Sequence, residues 1–204
     1  MPLLQSPLAA ILGAGPAGLK AAEVLSAAGV EVHVYDAMPS AGRKFLLAGK
    51  GGLNLTHSEP LPSFIERFGE QAAVVGDWLH DFGPQAVRDW AAGLGVGTFV
   101  GTSGRVFPTE MKAAPLLRAW LHRLRHPRAP GAVPVRFHMR HRWVGWGDAA
   151  VTPESIAAGA GQASAGGLFV FESPAGCVGL APAAALLALG GASWPRLGSD
   201  GAWA

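Results

Sequence analysis

The sequence holds a single cysteine, Cys177, and so can form no intrachain disulfide. A lone cysteine in an apolar, strand-like setting is expected in the core, and its scarcity points to a cytoplasmic chain. Long apolar runs are also missing. The longest, Ala181 to Leu189, is too short to span a bilayer, and Met1 to Ser6 lack the basic region that opens a signal peptide. Charge is scarce: 15% of the residues are charged and the formal net charge is +2, which leaves no electrostatic footprint for nucleic acid. No two histidines, cysteines or carboxylates stand at metal-ligand spacing, so no metal site is expected. No nucleophile-and-base set is visible, and no catalytic side chain is assigned.

What is present suits a buried core. Half of the 204 residues are hydrophobic, and the length fits one domain, or one domain and part of another. Glycine is abundant at 29 residues. Part of it lies in loops suited to phosphates, and part in the Ala/Gly/Ser-rich stretch 148–167, which reads as a low-complexity surface loop.

Leu8 to Leu12 reads as a short buried strand, followed at once by glycines. Leu19 to Ala28 shows helical spacing and stops at Gly29. Val30 to Tyr35 alternates and is β-branched, a second strand ending at Asp36. Ala37 to Ser58 shows no clear period. Helices are expected over Phe64–Phe68, Gln71–Phe82, Pro84–Gly93 and Ala113–Arg125, the last strongly amphipathic. Strands are expected over Thr98–Val100, Arg105–Phe107, Val133–His138, Trp143–Trp146, Leu168–Glu172 and Cys177–Leu180. Ala183–Leu189 reads as a buried parallel strand.

The first chemical signal is Gly13-Ala14-Gly15-Pro16-Ala17-Gly18, a G-x-G-x-x-G turn between a strand and a helix. Gly13 permits the tight turn, Gly15 lets the backbone approach a pyrophosphate, and Gly18 lets helix and strand pack closely. The helix N-terminus offers amide donors and a favourable dipole. Asp36 ends the second strand, where a carboxylate accepts hydrogen bonds from ribose hydroxyls and disfavours a 2′-phosphate; Ala37 follows it. The surrounding β-turn-α-β unit makes a dinucleotide site the expectation.

A second signal runs from Ser40 to His57. Gly42, Arg43 and Lys44 follow the ribose position, and the two cations suit phosphates. Gly49, Gly51 and Gly52 remove side-chain bulk, so backbone amides can meet a flat ring or a phosphate. Asn54 and Thr56 add polar groups. The alternative for this stretch is a flexible loop.

These motifs resemble the bacterial NAD(P)/FAD-dependent oxidoreductase flavoproteins of the BaiN/RdsA type, the aminoacetone-oxidase-like group. The resemblance is carried by Gly42-Arg43-Lys44-Phe45-Leu46, by Gly49 to Thr56, by Gly104-Arg105-Val106-Phe107-Pro108, and by the run from Ala188 through Gly190, Gly191, Ser193 and Pro195 to Gly201. Many members carry Arg-Cys where Gly52-Leu53 stands here. The resemblance implies an α/β, Rossmann-like FAD/NAD(P)-binding domain over 1–204, with a parallel sheet, helices and a small antiparallel β crossover. It also implies FAD as cofactor, NAD(P)H as electron donor, and Gly190 and Gly191 among the cofactor-binding residues. The chain is about half the family's usual length, so the inserted and C-terminal parts are expected to be missing and the cofactor held more weakly without them.

Two other readings stay open, an NAD-dependent Rossmann dehydrogenase and an inactive nucleotide-binding fragment. The partner is expected to be a small molecule of unspecified identity, with neither nucleic acid nor membrane involved. The remaining features carry structural readings. His122, His126, His138 and His141, with their neighbouring arginines, read as a solvated face and strand edge. The tryptophans read as core or domain-contact residues. His57 beside Thr56 reads as a structural residue, with a proton donor near the flavin as the alternative.

Overall fold

The computed structural model describes residues 8–147, 168–192 and Arg196. The stretch 148–167 lies outside them. The chain divides into two compact units, one formed by residues 1–44 and 124–204 and the other by 45–123.

The first unit is built on a parallel sheet. β1 (Leu8–Leu12) lies between β2 (Glu31–Asp36) and β10 (Ala184–Leu187), and β6 (Arg136–Met139) pairs with β2 to give the order β10-β1-β2-β6. β1 runs parallel to both neighbours. Ala9 to Leu12 are buried, as a central strand covered on both faces requires. α1 (Pro16–Ala27) buries Gly18, Leu19, Ala22 and Ser26, a stripe at helical spacing. It ends in a Schellman cap: Gly29 takes φ +80°, its N–H donates to the Ser26 carbonyl, and the Val30 N–H donates to that of Leu25.

A second, antiparallel sheet belongs to this unit, in the order β7 (Arg142–Gly147), β8 (Leu168–Ser173) and β9 (Gly176–Leu180). It replaces a helical crossover between β6 and β10. Its buried face supplies Phe169 and Phe171, which pack with Ala10, Leu12 and Tyr35 of the parallel sheet. Trp143 and Trp146 border that cluster.

The second unit contains α3 (Leu61–Glu66), a short 3-10 turn at Gly69–Gln71, α4 (Ala72–Asp81), α5 (Pro84–Gly93) and most of α6 (Ala113–Arg125). Its sheet has the order β3 (Thr56–His57), β5 (Arg105–Pro108), β4 (Thr98–Val100). Leu53, Ala91, Ala113 and Leu116 form its core, with Phe45, Leu55, Trp90, Leu94 and Val96 against them. α5 stops with the same cap as α1, with Gly95 at φ +78° and the Val96 N–H donating to the Ala91 carbonyl.

Several expectations need correction. Ala37–Ser58 does contain regular structure: α2 (Arg43–Ala48) and β3. Both are too short to show a period. β10 is parallel as expected but exposed rather than buried, with Leu187 at 51%, because it is an edge strand among the described residues. Cys177 is likewise exposed, on the edge strand β9. Trp120 is core, whereas Trp78 on α4 is 66% exposed. His138 does lie on an edge strand, β6, among the described residues, but it and His141 are half-buried against Tyr35 rather than fully solvated.

Phe171 is fully buried where the two sheets of the first unit meet. Phe171→Ala should destabilise the chain by about 3–5 kcal/mol, the usual cost of emptying an aromatic core position. Urea unfolding monitored by circular dichroism checks this. A loss under about 1 kcal/mol would show that the antiparallel sheet contributes little to the core.

Candidate dinucleotide-binding site

The loop after β1 emerges where the sheet order reverses, with β2 on one side and β10 on the other. In open α/β sheets this crevice is where ligands bind. The three glycines of the loop do different work. Gly13 sits at φ +112°, and a Cβ there would run into the Ala188 carbonyl. Its N–H donates to the Tyr35 carbonyl at 2.7 Å. Gly18 faces the same loop: a Cβ would run into the Gly13 carbonyl and the Ile11 side chain. Both glycines are therefore required by the protein itself.

Gly15 differs. A Cβ there would meet nothing within 4 Å, and its backbone is extended, at φ −79° and ψ −178°. Among the described residues nothing demands a glycine at this position. The open volume lies at the N-terminus of α1, which has no side-chain cap and no acidic residue in its first turn. The first intrahelical bond is Leu19 N–H to Gly15 C=O, so the amides of Ala17 and Gly18 precede the helical ladder. Pro16 is the first helical residue, where its missing N–H costs nothing.

Asp36 is neither a free ribose acceptor nor a solvated strand end. One carboxylate oxygen accepts from the Ala14 N–H at 2.6 Å and the other from the Met38 N–H at 2.8 Å. The side chain thus ties the end of β2 to the glycine loop and fixes the turn through Ala37. A carboxylate has about four acceptor positions, so lone pairs remain for ribose hydroxyls. The sequence signalled the ribose role of Asp36 but not this anchoring one.

The rest of the predicted set in this unit gathers at the same place. The Gly42 N–H donates to the Ala14 carbonyl at 2.9 Å, with Gly42 at φ +70°. Arg43 begins α2, and its Nε is buried without a hydrogen-bond partner. A buried guanidinium nitrogen left unpaired is costly, and a phosphate oxygen would satisfy it. Lys44 Nζ donates to the Gly191 carbonyl at 2.7 Å, and Gly190 takes φ +81° just beyond β10. Lys44 therefore holds the loop after β10. These residues fit a dinucleotide: an open cradle at Gly15, amides at a helix end, an acid with acceptor positions to spare and a buried guanidinium N–H without a partner.

The other predicted residues belong to the second unit. Gly49 packs against α6, where a Cβ would come within 2.5 Å of the Ala113 Cβ. Gly52 sits at φ +116° under the Met111 side chain. Gly51 has open space beside it. Asn54 is exposed, and Thr56 pairs with Val106. His57 is held in place: Nε2 lies 3.0 Å from the Ser103 carbonyl, and Nδ1 lies 3.2 Å from the Glu59 N–H. Nδ1 also lies 3.3 Å from the Glu59 carboxylate. A Cβ at Gly104 would strike the ring at 2.6 Å, which explains that glycine. The structural reading of His57 accounts for both of its nitrogens.

Fold and site together define a dinucleotide-binding Rossmann protein. The chain belongs to the HI0933-like family: residues 8–204 match the HI0933-like protein Rossmann domain. That family is one of FAD-binding oxidoreductases. No curated protein sequence matches the chain. Among solved structures, it is similar in fold to the open conformation of a flavocytochrome c3 fumarate reductase, at 16% identity and TM-score 0.62, with 91% of this chain and 34% of that one covered. It is also similar to the 3-ketosteroid-delta4-(5alpha)-dehydrogenase of Rhodococcus jostii, at 14% identity and TM-score 0.54, covering 93% and 47%. A third is the Mycobacterium smegmatis Sdh1 complex in its apo form, at 16% identity and TM-score 0.58, covering 92% and 34%. The chain thus spans from about a third to half of the length of these proteins.

Two predictions follow from the geometry. Gly15→Val should leave the thermal unfolding temperature of the ligand-free chain unchanged, because its Cβ meets no protein atom, yet abolish FAD binding; Gly13→Val should unfold the chain. Differential scanning calorimetry and a fluorescence titration with FAD separate the two. Unaltered FAD affinity in Gly15→Val would show that the open volume is not the pyrophosphate cradle. Asp36→Ala should weaken FAD binding by roughly 1.5–3 kcal/mol, the scale of a hydrogen bond to a charged group, measured by the same titration. An unchanged dissociation constant would leave Asp36 only its anchoring role.

Proposed function

We propose that this chain is the cofactor-binding portion of a flavin-dependent oxidoreductase, with NAD(P)H as electron donor and a small molecule as substrate. One observation carries the reading: the open volume at Gly15 faces uncapped helix amides, in a loop that the protein otherwise packs tightly. Bound FAD supplies the hydride and electron transfer, chemistry that no side chain here needs to perform.

The chain's own residues bind and orient. Ala17 and Gly18 would give amides to the pyrophosphate, and Arg43 would neutralise it. Asp36 would accept from the ribose while its carboxylate keeps the glycine loop in register. Lys44, through the Gly191 carbonyl, would fix the strand-end loop on the β10 side. Among the described residues no helix is long and apolar enough to cross a membrane. A cytoplasmic location belongs to this proposal and rests on the single cysteine.

The test is cofactor identity. Protein purified from cells or reconstituted with FAD should be yellow, and heat should release FAD identifiable by chromatography. NADH or NADPH added to the longer protein that contains this domain should bleach the flavin band. Release of NAD in place of FAD would overturn the flavin assignment. Flavin bound but never reduced by either nucleotide would overturn the electron donor alone.

A further inference from the structure

Three histidines of the first unit meet beside the acid that the proposed site depends on. Strand register places His33 and Tyr35 on β2 next to Arg136 and His138 on β6. His138 stacks on Tyr35 with ring centres 4.5 Å apart and planes at 10°. Tyr35 stacks in turn on the buried Phe171, at 4.6 Å. His141 meets both His138 and Tyr35 edge-on, at 5.6 and 5.9 Å. Asp36 is the next residue of β2 after Tyr35.

The hydrogen bonds of this cluster suit neutral rings. His138 Nε2 and His33 Nδ1 are 3.3 Å apart, and His33 Nε2 lies 3.2 Å from Glu31 Oε1. With His33 donating to Glu31, its Nδ1 accepts from His138. Tyr35 Oη stands at 3.4 Å from the same Nδ1. His141 Nδ1 lies 3.0 Å from the Met139 carbonyl, to which it donates. A single extra proton can be shared across His33 and His138. Two cannot, because both facing nitrogens would then carry hydrogens.

The end of β6 also braces the turn that carries the acid. The His141 N–H donates to the Asp36 carbonyl at 2.9 Å, and the Arg140 N–H to the Met38 carbonyl at 3.1 Å. Arg140 does so at φ +60°, a conformation a non-glycine residue keeps only where its surroundings impose it. The cluster and the Asp36–Met38 turn are therefore one mechanical piece.

We propose that His33, His138 and His141 form an acid-sensitive latch on the ribose end of the dinucleotide site. Neutral, their rings hold Tyr35 and the Asp36–Met38 turn against the end of β6. Protonated, they repel one another and Arg136, and the turn loosens. The consequence for cofactor rests on the flavin reading above; the latch itself does not.

The charges acting on His138 are His33 of β2, His141 of the following loop and Arg136 of its own strand. From β8 it is faced through Tyr35 by the uncharged Phe171. Glu31 offsets part of this charge by pairing with His33 and, at 3.5 Å, with Arg136. Burial first, and then these three cations, hold the His138 imidazole below its ordinary value of 6.5. The unfolded chain therefore binds more protons than the folded one as pH falls through 6.5. Stability and bracing are complete above that value, decline as pH drops below it, and level off once pH is under the folded-state value.

The experiment follows amide protection and the tyrosine signals without cofactor, then FAD affinity. Tyr35 is the only tyrosine in the sequence, so its aromatic resonances are unambiguous. Between about pH 7.5 and 5.5, protection factors at the Arg140 and His141 amides should fall about tenfold, and the Tyr35 ring signals should shift with a histidine titration below 6.5. His138→Phe keeps a ring on Tyr35 but carries no proton, and its protection should stay constant over that range. The FAD dissociation constant should rise about tenfold over the same interval in the wild-type chain and less than about twofold in His138→Phe. Constant protection and unshifted Tyr35 signals in the wild-type chain would overturn the latch, and that measurement does not depend on the variant folding. FAD bound with equal affinity at both pH values would overturn the latch's action on the ribose end of the site. Acid loosening in a chain that binds FAD at neither pH would support the latch while removing the flavin reading.

Discussion

The rest of the first unit depends on the close approach of three backbone segments at Gly13. The Gly13 N–H donates to Tyr35 on one side, and the Ala188 carbonyl occupies the space of a missing side chain on the other. Any Cβ would push β10 away from β1 and take the loop out of register with β2. Because Gly18 in turn packs on the Gly13 carbonyl, α1 is drawn onto the sheet by the same contact. Strand order, helix position and the mouth of the crevice are thus set by a few cubic ångströms of excluded volume. The cost is conformational: φ +112° at Gly13 is available to glycine and hardly to any other residue.

Within that tight frame, the binding site consists of what the protein leaves unfilled. Gly15 alone in the motif has no protein neighbour for a Cβ. Arg43 Nε is buried without a partner in the same unit. Folding by itself rewards neither feature, since an open volume forgoes packing and a buried N–H without a partner costs desolvation. Both become favourable once an anion of suitable size arrives. Asp36 shows the complementary economy: a single carboxylate holds the loop through two amides and keeps acceptor positions for a sugar. Loop geometry and ligand recognition therefore cannot be separated at this residue.

The first β-turn-α-β unit was legible in the sequence because each signal there is local. A strand, a glycine motif, a helix of repeating period and a terminal acid all lie within one stretch of chain. α5 and α6 were legible to the residue, since Pro84, Gly95 and the leucine spacing of Ala113–Arg125 mark their limits. Illegible features depended on partners distant in sequence. β10 looked buried from its composition, but burial depends on a neighbour on its outer side, and sequence composition does not report that. Cys177 failed for the same reason. α2 and β3 are too short for periodicity to register. Gly49 resembled a ligand-facing glycine until Ala113 supplied a packing reason for it.

The histidines show most plainly why pattern alone fell short. As a string, His138 to Arg142 is a basic, polar run, and such runs are usually solvated. Parallel pairing of β6 with β2 puts Tyr35 directly beside His138, and the antiparallel sheet brings Phe171 onto the opposite face of the same ring. An imidazole is flat and polarizable, and in its neutral form it stacks as an aromatic does. That same ring becomes a half-buried cation when protonated, with Arg136 and two other imidazoles nearby. The sheet therefore favours a neutral ring at the half-buried His138. That preference falls on the strand end that braces Asp36, so packing and proton uptake are coupled at the point where the loop meets its ligand.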